Sequence, residues 1–427
     1  MPFGRRLLKL PLLQTQKPDS SPQPSMLRRT FKAFQYPGFR LMWIGACTSS
    51  IGTWMQLTAQ NWLVYTLSGD NPRFLAFDNV LSTLPIVVLA LLGGVVADRR
   101  SRHHILLTSQ YIQMSCAFTL ATLVFTGVVQ VWQILCLSFI IGLGQAFGGP
   151  AYSALVPTLV AKPDLPNAIA LNSIQFNLAR VIGPTLGGIA LTSLGAAWCF
   201  SLNGISFLAV ITTLYLVKVS FVPSRSSAPM LESMKHGIRF IRERPGMEPL
   251  IVLAFLMTFL GFPLLTFLPV FAKEVFKQGP STFALLLVCS GAGSVCGALT
   301  MAFFGKLKHQ GRMMLIALCL LGALMVGFAL APSLVVACLM VFLAGAALMS
   351  VFSMVSSLVQ IITPDEMRGR VMSIYNLAFR GGGPLGNLVA GVAIPSLTAP
   401  VTIACAGVAM VVVGLVFLAT QKRVTAL

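Results

Sequence analysis

Two arginines carry the most costly chemistry in this chain. Arg180 opens the stretch Arg180-Val-Ile-Gly183-Pro184-Thr-Leu-Gly187-Gly188, inside an apolar segment long enough to cross a bilayer. Arg380-Gly-Gly-Gly383-Pro384 repeats the Arg-x-x-Gly-Pro pattern 200 residues later. Charges at membrane depth are expensive and face a protein interior or water. Arg180 lies about 15 residues into its segment, roughly 22 Å of helical rise, and Arg380 lies about 12 residues past Arg368, roughly 18 Å. One use of such a pair is to bind an anionic or polar substrate, or to moderate proton release. The other use is structural. Proline removes a backbone donor and weakens the helix, so Gly183, Pro184, Gly187, Gly383 and Pro384 read as kink residues, with a guanidinium satisfying the freed carbonyl. The residues leave both uses open.

Further polar groups sit in the same kind of segment. Asn177 and Asn376 join the arginines as candidate cavity residues. Gln56 and Gln60 are four apart, with Trp54 beside them, a polar stripe suited either to a cavity wall or to hydrogen bonds between helices. Asp78 is the acid placed clearly within a span, and it is the proton-coupling candidate because burial favours a protonated carboxyl. It lies 20 residues before Asp98, about 30 Å along a helix, which puts it near the outer end. The plainer reading is therefore an interfacial acid in an outer vestibule, and Glu274 reads the same way.

The elements that hold these residues follow from composition. Of 427 residues, 56% are hydrophobic and 10% charged, with a mean hydropathy of +0.84. Soluble domains carry about 25% charge. Lipid offers backbone groups no partners, so apolar runs of ~20 residues or more are membrane helices. Twelve are predicted, over 39–66, 73–97, 104–126, 131–155, 165–193, 196–217, 249–274, 281–304, 313–331, 333–359, 367–394 and 400–420. The fold class is an all-α membrane protein with two six-helix bundles in parallel repeat. The predicted organisation is a mostly disordered cytoplasmic extension over 1–37, a first bundle over 38–217, a basic linker over 218–248, a second bundle over 249–421 and a tail over 422–427.

The net charge of +19 does not point to nucleic acid, because Lys and Arg cluster in short loops between apolar runs. Cytoplasmic segments carry 25 of them and outer loops three, Arg73, Lys273 and Lys277. That asymmetry places both termini inside. Leu231, Met234, Ile238 and Ile241 share one helical face, which predicts an amphipathic helix on the cytoplasmic membrane surface. Nine scattered cysteines form no Cys-x-x-Cys and read as small buried hydrophobes. The four histidines lie in basic loops, so neither a metal nor a cofactor is expected. Thr363-Pro364-Asp365-Glu366 reads as a capping box opening the eleventh span, with Pro at the first helical position.

The halves repeat beyond the arginines. Ser173-Ile174 matches Ser373-Ile374, and Gly142, Ser153, Leu155 and Val156 match Gly345, Ser356, Leu358 and Val359 at an offset of 203. Duplicated six-span halves imply a substrate site between them. No Walker loop, His-Glu-x-x-His or mid-membrane carboxylate pair is present, so no hydrolytic or ATP-driven chemistry is expected. A lipid or metabolite carrier is the nearest alternative, and a non-transporting sensor the alternative of another class.

Gly94-Val-Val-Ala-Asp98-Arg99-Arg100-Ser101-Arg102 resembles the signature loop of the major facilitator superfamily, with Ser101 at the usual Gly and His103-His104 at usual basic positions. The resemblance implies a cytoplasmic gate, with Gly94 allowing close helix approach and Asp98 clasped near Arg368 and Arg370, while Arg99 and Arg102 complete the loop. Gly52-Thr-Trp-Met-Gln-Leu-Thr-Ala-Gln-Asn-Trp-Leu-Val-Tyr-Thr-Leu-Ser-Gly69 narrows the likeness. With Val156-Pro157, Asn172-Ser173, Ala179-Arg180, Gly183-Pro184 and Pro364-Asp-Glu-Met-Arg-Gly-Arg-Val371, it resembles the transmembrane secretion effector branch, which includes the enterobactin exporter and macrolide efflux pumps. That resemblance implies a monomeric exporter of the bacterial inner membrane that exchanges a small amphipathic molecule, such as a siderophore or an antibiotic, for protons. Span 4 lacks the arginine that many drug–proton antiporters carry there.

Overall fold

The computed structural model describes residues 31–217, 230–304 and 309–426. Its long helices are α1 (Pro37–Leu67), α2 (Pro72–Arg99), α3 (Arg102–Phe125), α4 (Val131–Leu155), α5 (Leu165–Ser193) and α6 (Ala196–Leu216). A shorter α7 (Met230–Glu243) leads to α8 (Met247–Thr266), α9 (Pro280–Phe304), α10 (Gln310–Ala329), α11 (Leu334–Ile362), α12 (Asp365–Leu397) and α13 (Ala399–Thr420). No strand occurs among the described residues. The helix ends fall within a few residues of those read from hydropathy, except that α8 stops at Thr266 and the chain runs on as short helical pieces to Val275.

Local chemistry sets several boundaries. Pro37 and Pro72 occupy first-turn positions, where a missing N–H costs nothing, and Asn71 caps α2 by accepting from the Arg73 N–H at 3.1 Å. Ser101 and Ser333 cap α3 and α11 in the same way. The expected capping box at α12 does not form. Pro364 is itself the cap, and the buried Thr363 hydroxyl turns back to donate to the Val359 carbonyl at 2.5 Å.

The packing repeats with the sequence. In the first half α1 lies against α5 and α6, α2 against α4, and α3 against α4 and α6. In the second, α8 lies against α12 and α13, α9 against α11, and α10 against α11 and α13. The two sets meet along two seams, α5 with α9 and α2 with α12. The matched glycines do matched work. A Cβ on Gly142 would lie 2.4 Å from the Ser82 carbonyl of α2, and one on Gly345 would lie 2.3 Å from the Ser290 carbonyl of α9. Small residues that let backbones touch are the usual basis of helix association in lipid.

Eight helices are long and apolar enough to cross a membrane on length and composition. The long helices outside that group are α1, α3, α5 and α12. Their polar residues lower the mean hydropathy, and several of them, among them Asn61, Gln113, Asn177 and Asn376, line internal chambers. The helix α7 packs on the protein. Gly237 faces Ile374 and Arg370 of α12, and Ile241 is buried, so the apolar stripe expected to meet lipid is covered in part by helix α12. Leu231 lies outside the described side chains. Cys136, Cys296 and Cys405 are exposed, contrary to the expectation that the cysteines are buried. An apolar outer surface accepts a thiol as readily as a core does.

Candidate transport cavity

The two halves enclose a cavity of about 890 Å³, lined from α1, α2, α4 and α5 on one side and α8, α9, α11 and α12 on the other. Trp54, Phe176, Phe262, Phe352 and Phe379 give it aromatic walls. A second chamber of about 680 Å³ adjoins it, sharing Trp54, Tyr152, Ser153 and Phe176. Its lining is richer in amides and hydroxyls, among them Gln113, Gln145, Gln175 and Ser109.

Arg180 and Asn177 line the first chamber, and Arg380 and Asn376 line the second. The Arg180 guanidinium sits 5.7 Å from the Trp54 ring centroid, within cation–π reach. Among the described residues, neither arginine is hydrogen-bonded or ion-paired through its side chain, so neither mends a carbonyl freed by proline. The helices continue past Pro184 and Pro384. The adjoining glycines serve close approach. A Cβ on Gly183 would lie 2.3 Å from Trp54 Cβ, one on Gly187 3.0 Å from the Met55 carbonyl, and one on Gly383 2.6 Å from the Phe262 ring. Gly291 of α9 lies against the Arg180 carbonyl that Pro184 cannot serve, where a Cβ would stand 2.7 Å away.

Asp78 is not the interfacial acid that its position along α2 suggested. It lines the first chamber yet is 3% exposed. Gln60 Nε2 donates to both its carboxylate oxygens, at 2.9 and 3.1 Å, and the Ser138 hydroxyl donates to Oδ1 at 2.5 Å. The network continues through Gln56, whose Nε2 lies 3.4 Å from Gln60 Oε1, to Asn203, which donates to Gln56 Oε1 at 2.6 Å. Gln56 and Gln60 are thus removed from the cavity wall. Both are buried, because the amide-to-carboxylate chain between α1, α2, α4 and α6 uses their polar ends. Sequence reading missed Ser138 and Asn203, since a serine or asparagine in a span has many uses until its partner is known.

One end of the molecule is tied across the halves. Lys273 Nζ lies 2.5 Å from Asp70 Oδ1, and the Tyr65 hydroxyl donates to Glu274. Below them Asn387 Nδ2 donates to Asn79 Oδ1 at 2.8 Å, and Trp62 stacks on Phe283 at 6.3 Å between centroids. At the other end Asp164 holds Lys32 at 2.7 Å and accepts from Gln35 and Tyr36 at 2.9 Å, contacts confined to the first half. Lys32 beside it holds the Asp164 carboxyl below its ordinary value of 3.8.

The signature loop is only partly placed. The side chains of Asp98 and Arg99 lie outside the described residues. Arg102 Nη1 donates to the Ala154 carbonyl at 3.0 Å, near the C-terminus of α4. Arg370 Nη1 meets Met367 Sδ at 3.5 Å, and Arg368 is exposed on α12. Gly94 is not the close-approach glycine, because a Cβ there meets nothing within 4 Å. Its neighbour Gly93 is, since a Cβ on it would lie 2.2 Å from the Ala146 carbonyl.

The family comparison then decides what this architecture belongs to, since residues 29–426 match the family described as transmembrane secretion effector. This chain belongs to that family. The multidrug efflux pump Tap of Mycolicibacterium fortuitum is 24% identical over 82% of this chain and 88% of its own length. The enterobactin exporter EntS of Salmonella paratyphi A is 28% identical over 77% of this chain and 79% of its own. In fold, the chain is similar to a bacterial homologue of the human lysosomal transporter Spinster, solved inward-facing and unoccupied, with a TM-score of 0.68, 16% identity, and coverage of 94% and 98%. These likenesses bear out the resemblance carried by the Gly52–Gly69 and Pro364–Val371 stretches. Tap and the enterobactin exporter are efflux transporters, and the apolar helices fit a multi-pass membrane protein.

Proposed function

We propose that this protein exports a small amphipathic molecule across the bacterial inner membrane by alternating access, driven by inward proton flow. The observation that carries the reading is the cavity between the halves, with Arg180 in its wall and Asp78 buried at its edge. In this reading the twelve long helices all cross the bilayer as two six-helix bundles, with both termini cytoplasmic. The charge count of the loops supports that orientation. The end tied by Asp70–Lys273 and Tyr65–Glu274 then faces outward and is held closed by those contacts.

Asp78 is the proton carrier of this scheme. It is shielded from water, held by neutral donors, and adjacent in sequence to Asn79, which bonds α12 across the seam. A proton arriving at Asp78 changes what Gln60 and Ser138 donate to, and so changes the packing beside that seam. Asp98 of the signature loop serves as the cytoplasmic clasp. No resident cofactor enters the scheme, and the transporter acts as a monomer.

The test is uptake into everted vesicles from cells stripped of their own pumps, with a panel of antibiotics and siderophores. Uptake that depends on substrate and collapses with uncoupler is the expected result. Absence of any energised uptake across the panel, with the protein present in the membrane, refutes the proposal.

A further inference from the structure

The charge of the cargo is legible from what the cavity leaves unpaired. Cations inside a membrane protein are costly and are held by opposite charges, carbonyls or water. Arg180 and Arg380 line adjoining chambers, and neither has a side-chain hydrogen bond or ion pair among the described residues. The acid described in the walls of the first chamber, Asp78, accepts from Gln60 and Ser138 and does not meet either guanidinium. The described lining of the second chamber contains no acid. The two guanidiniums thus line adjoining chambers without a side-chain partner, a field that favours anions and opposes cations.

The walls add shape and polarity. The Arg180 chamber presents aromatic faces, with Trp54 already in cation–π contact and Phe176 packed edge-on against it at 6.1 Å. The Arg380 chamber presents amides, Gln113, Gln145 and Gln175 among them.

Resting on the reading of this cavity as the cargo site, we propose that the cargo is an anionic aromatic amphipath, its planar ring system in the Trp54 chamber and its negatively charged part toward Arg180 and Arg380. Cationic amphipaths of the same size are rejected. A guanidinium can take a carboxylate, a phenolate or a sulfonate in a two-point contact, which a lysine cannot match in geometry.

The test uses two dyes that share a xanthene ring and differ in charge, fluorescein and rhodamine 123. Each is titrated by fluorescence anisotropy at pH 8 against the purified full-length protein in phosphatidylcholine nanodiscs. The wild type is expected to bind fluorescein at least 10-fold more tightly than rhodamine 123. Arg180→Gln with Arg380→Gln removes that preference, while Arg180→Lys, which keeps the charge, retains most of it. Melting temperatures and gel-filtration profiles matched to wild type certify the variants. The proposal is overturned by equal affinity for the two dyes, by tighter rhodamine 123 binding, by no binding of either, or by a preference that survives loss of both arginines. Vesicle uptake of the same dyes separates this from the transport reading. Fluorescein bound but never moved sinks transport and leaves the charge class standing, whereas rhodamine 123 moved by the protein does the reverse.

Discussion

Lys273 Nζ lies 2.5 Å from Asp70 Oδ1, joining the turn after α1 to the segment that extends α8. Asp70 adopts a left-handed backbone conformation, φ 63°, directly after Gly69 at φ 68°. That pair of positive φ values makes the tight turn that aims the carboxylate across the molecule. Both partners are more than a third exposed, so the pair contributes no more than about 1 kcal/mol. Lys273→Met is expected to raise the population open at this end by at most about fivefold, which follows from that energy. A cysteine placed at Thr58 in a background without native cysteines, probed with an impermeant maleimide from outside, reads the change. An unaltered labelling rate discounts the latch.

The Asp78 cluster gives a separable pair of effects. Asp78→Asn keeps the size and removes the titratable proton, so the protein should fold while gradient-driven transport falls by at least about tenfold, the scale of one lost proton-dependent step. Ser138→Ala leaves Asp78 with one donor fewer and should cost about 1–3 kcal/mol of stability. Transport in proteoliposomes with an imposed pH gradient, alongside thermal melting, distinguishes the two. Full gradient-driven transport by Asp78→Asn removes this residue from proton coupling.

Adjacent glycines of α2 should behave oppositely. Gly93→Ala drives a methyl to 2.2 Å from the Ala146 carbonyl, and the required separation of α2 from α4 should cost about 1–3 kcal/mol. Gly94→Ala meets open space and should be neutral or stabilising, by up to about 1 kcal/mol, through reduced chain entropy. Melting of the two variants in the same detergent decides, and equal behaviour refutes the packing account.

The Asp164 clasp has a defined pH sign. Lys32 holds the carboxyl below its ordinary 3.8, so the contribution to stability is present above that value and is lost as pH falls through the lower folded-state value. The segment around Lys32 should therefore stay docked across pH 5 to 8. Limited trypsinolysis at Lys32 is the measurement. Asp164→Asn should increase cleavage at pH 7.5 severalfold, and unchanged cleavage argues that Lys32 is held by other contacts.

Periodicity and hydropathy were enough for the helices because lipid leaves backbone groups a single solution. The paired Arg-x-x-Gly-Pro motifs and the Gly142/Gly345 match likewise announced two similarly built halves, and the structure puts those two glycines to the same use against Ser82 and Ser290. What a polar residue does within a helix was less legible. Gln56 and Gln60 read equally well as cavity wall or interhelical bond, and Gly94 read as a contact point that belongs to Gly93. A rotation of one residue changes which helix a side chain faces, and composition carries no record of that angle.

By itself, then, the chain determined an all-helical membrane protein with repeated halves, an arginine inside a long helix of each half, and an acid inside the second long helix. Tertiary structure decided which of these groups are satisfied. It buried Asp78 under Gln60 and Ser138, and among the described residues it left Arg180 over the face of Trp54 without a side-chain hydrogen bond or ion pair. The reason is physical: the cost of a charge is set by the donors and acceptors within about 3 Å of it, and those come from helices distant in sequence.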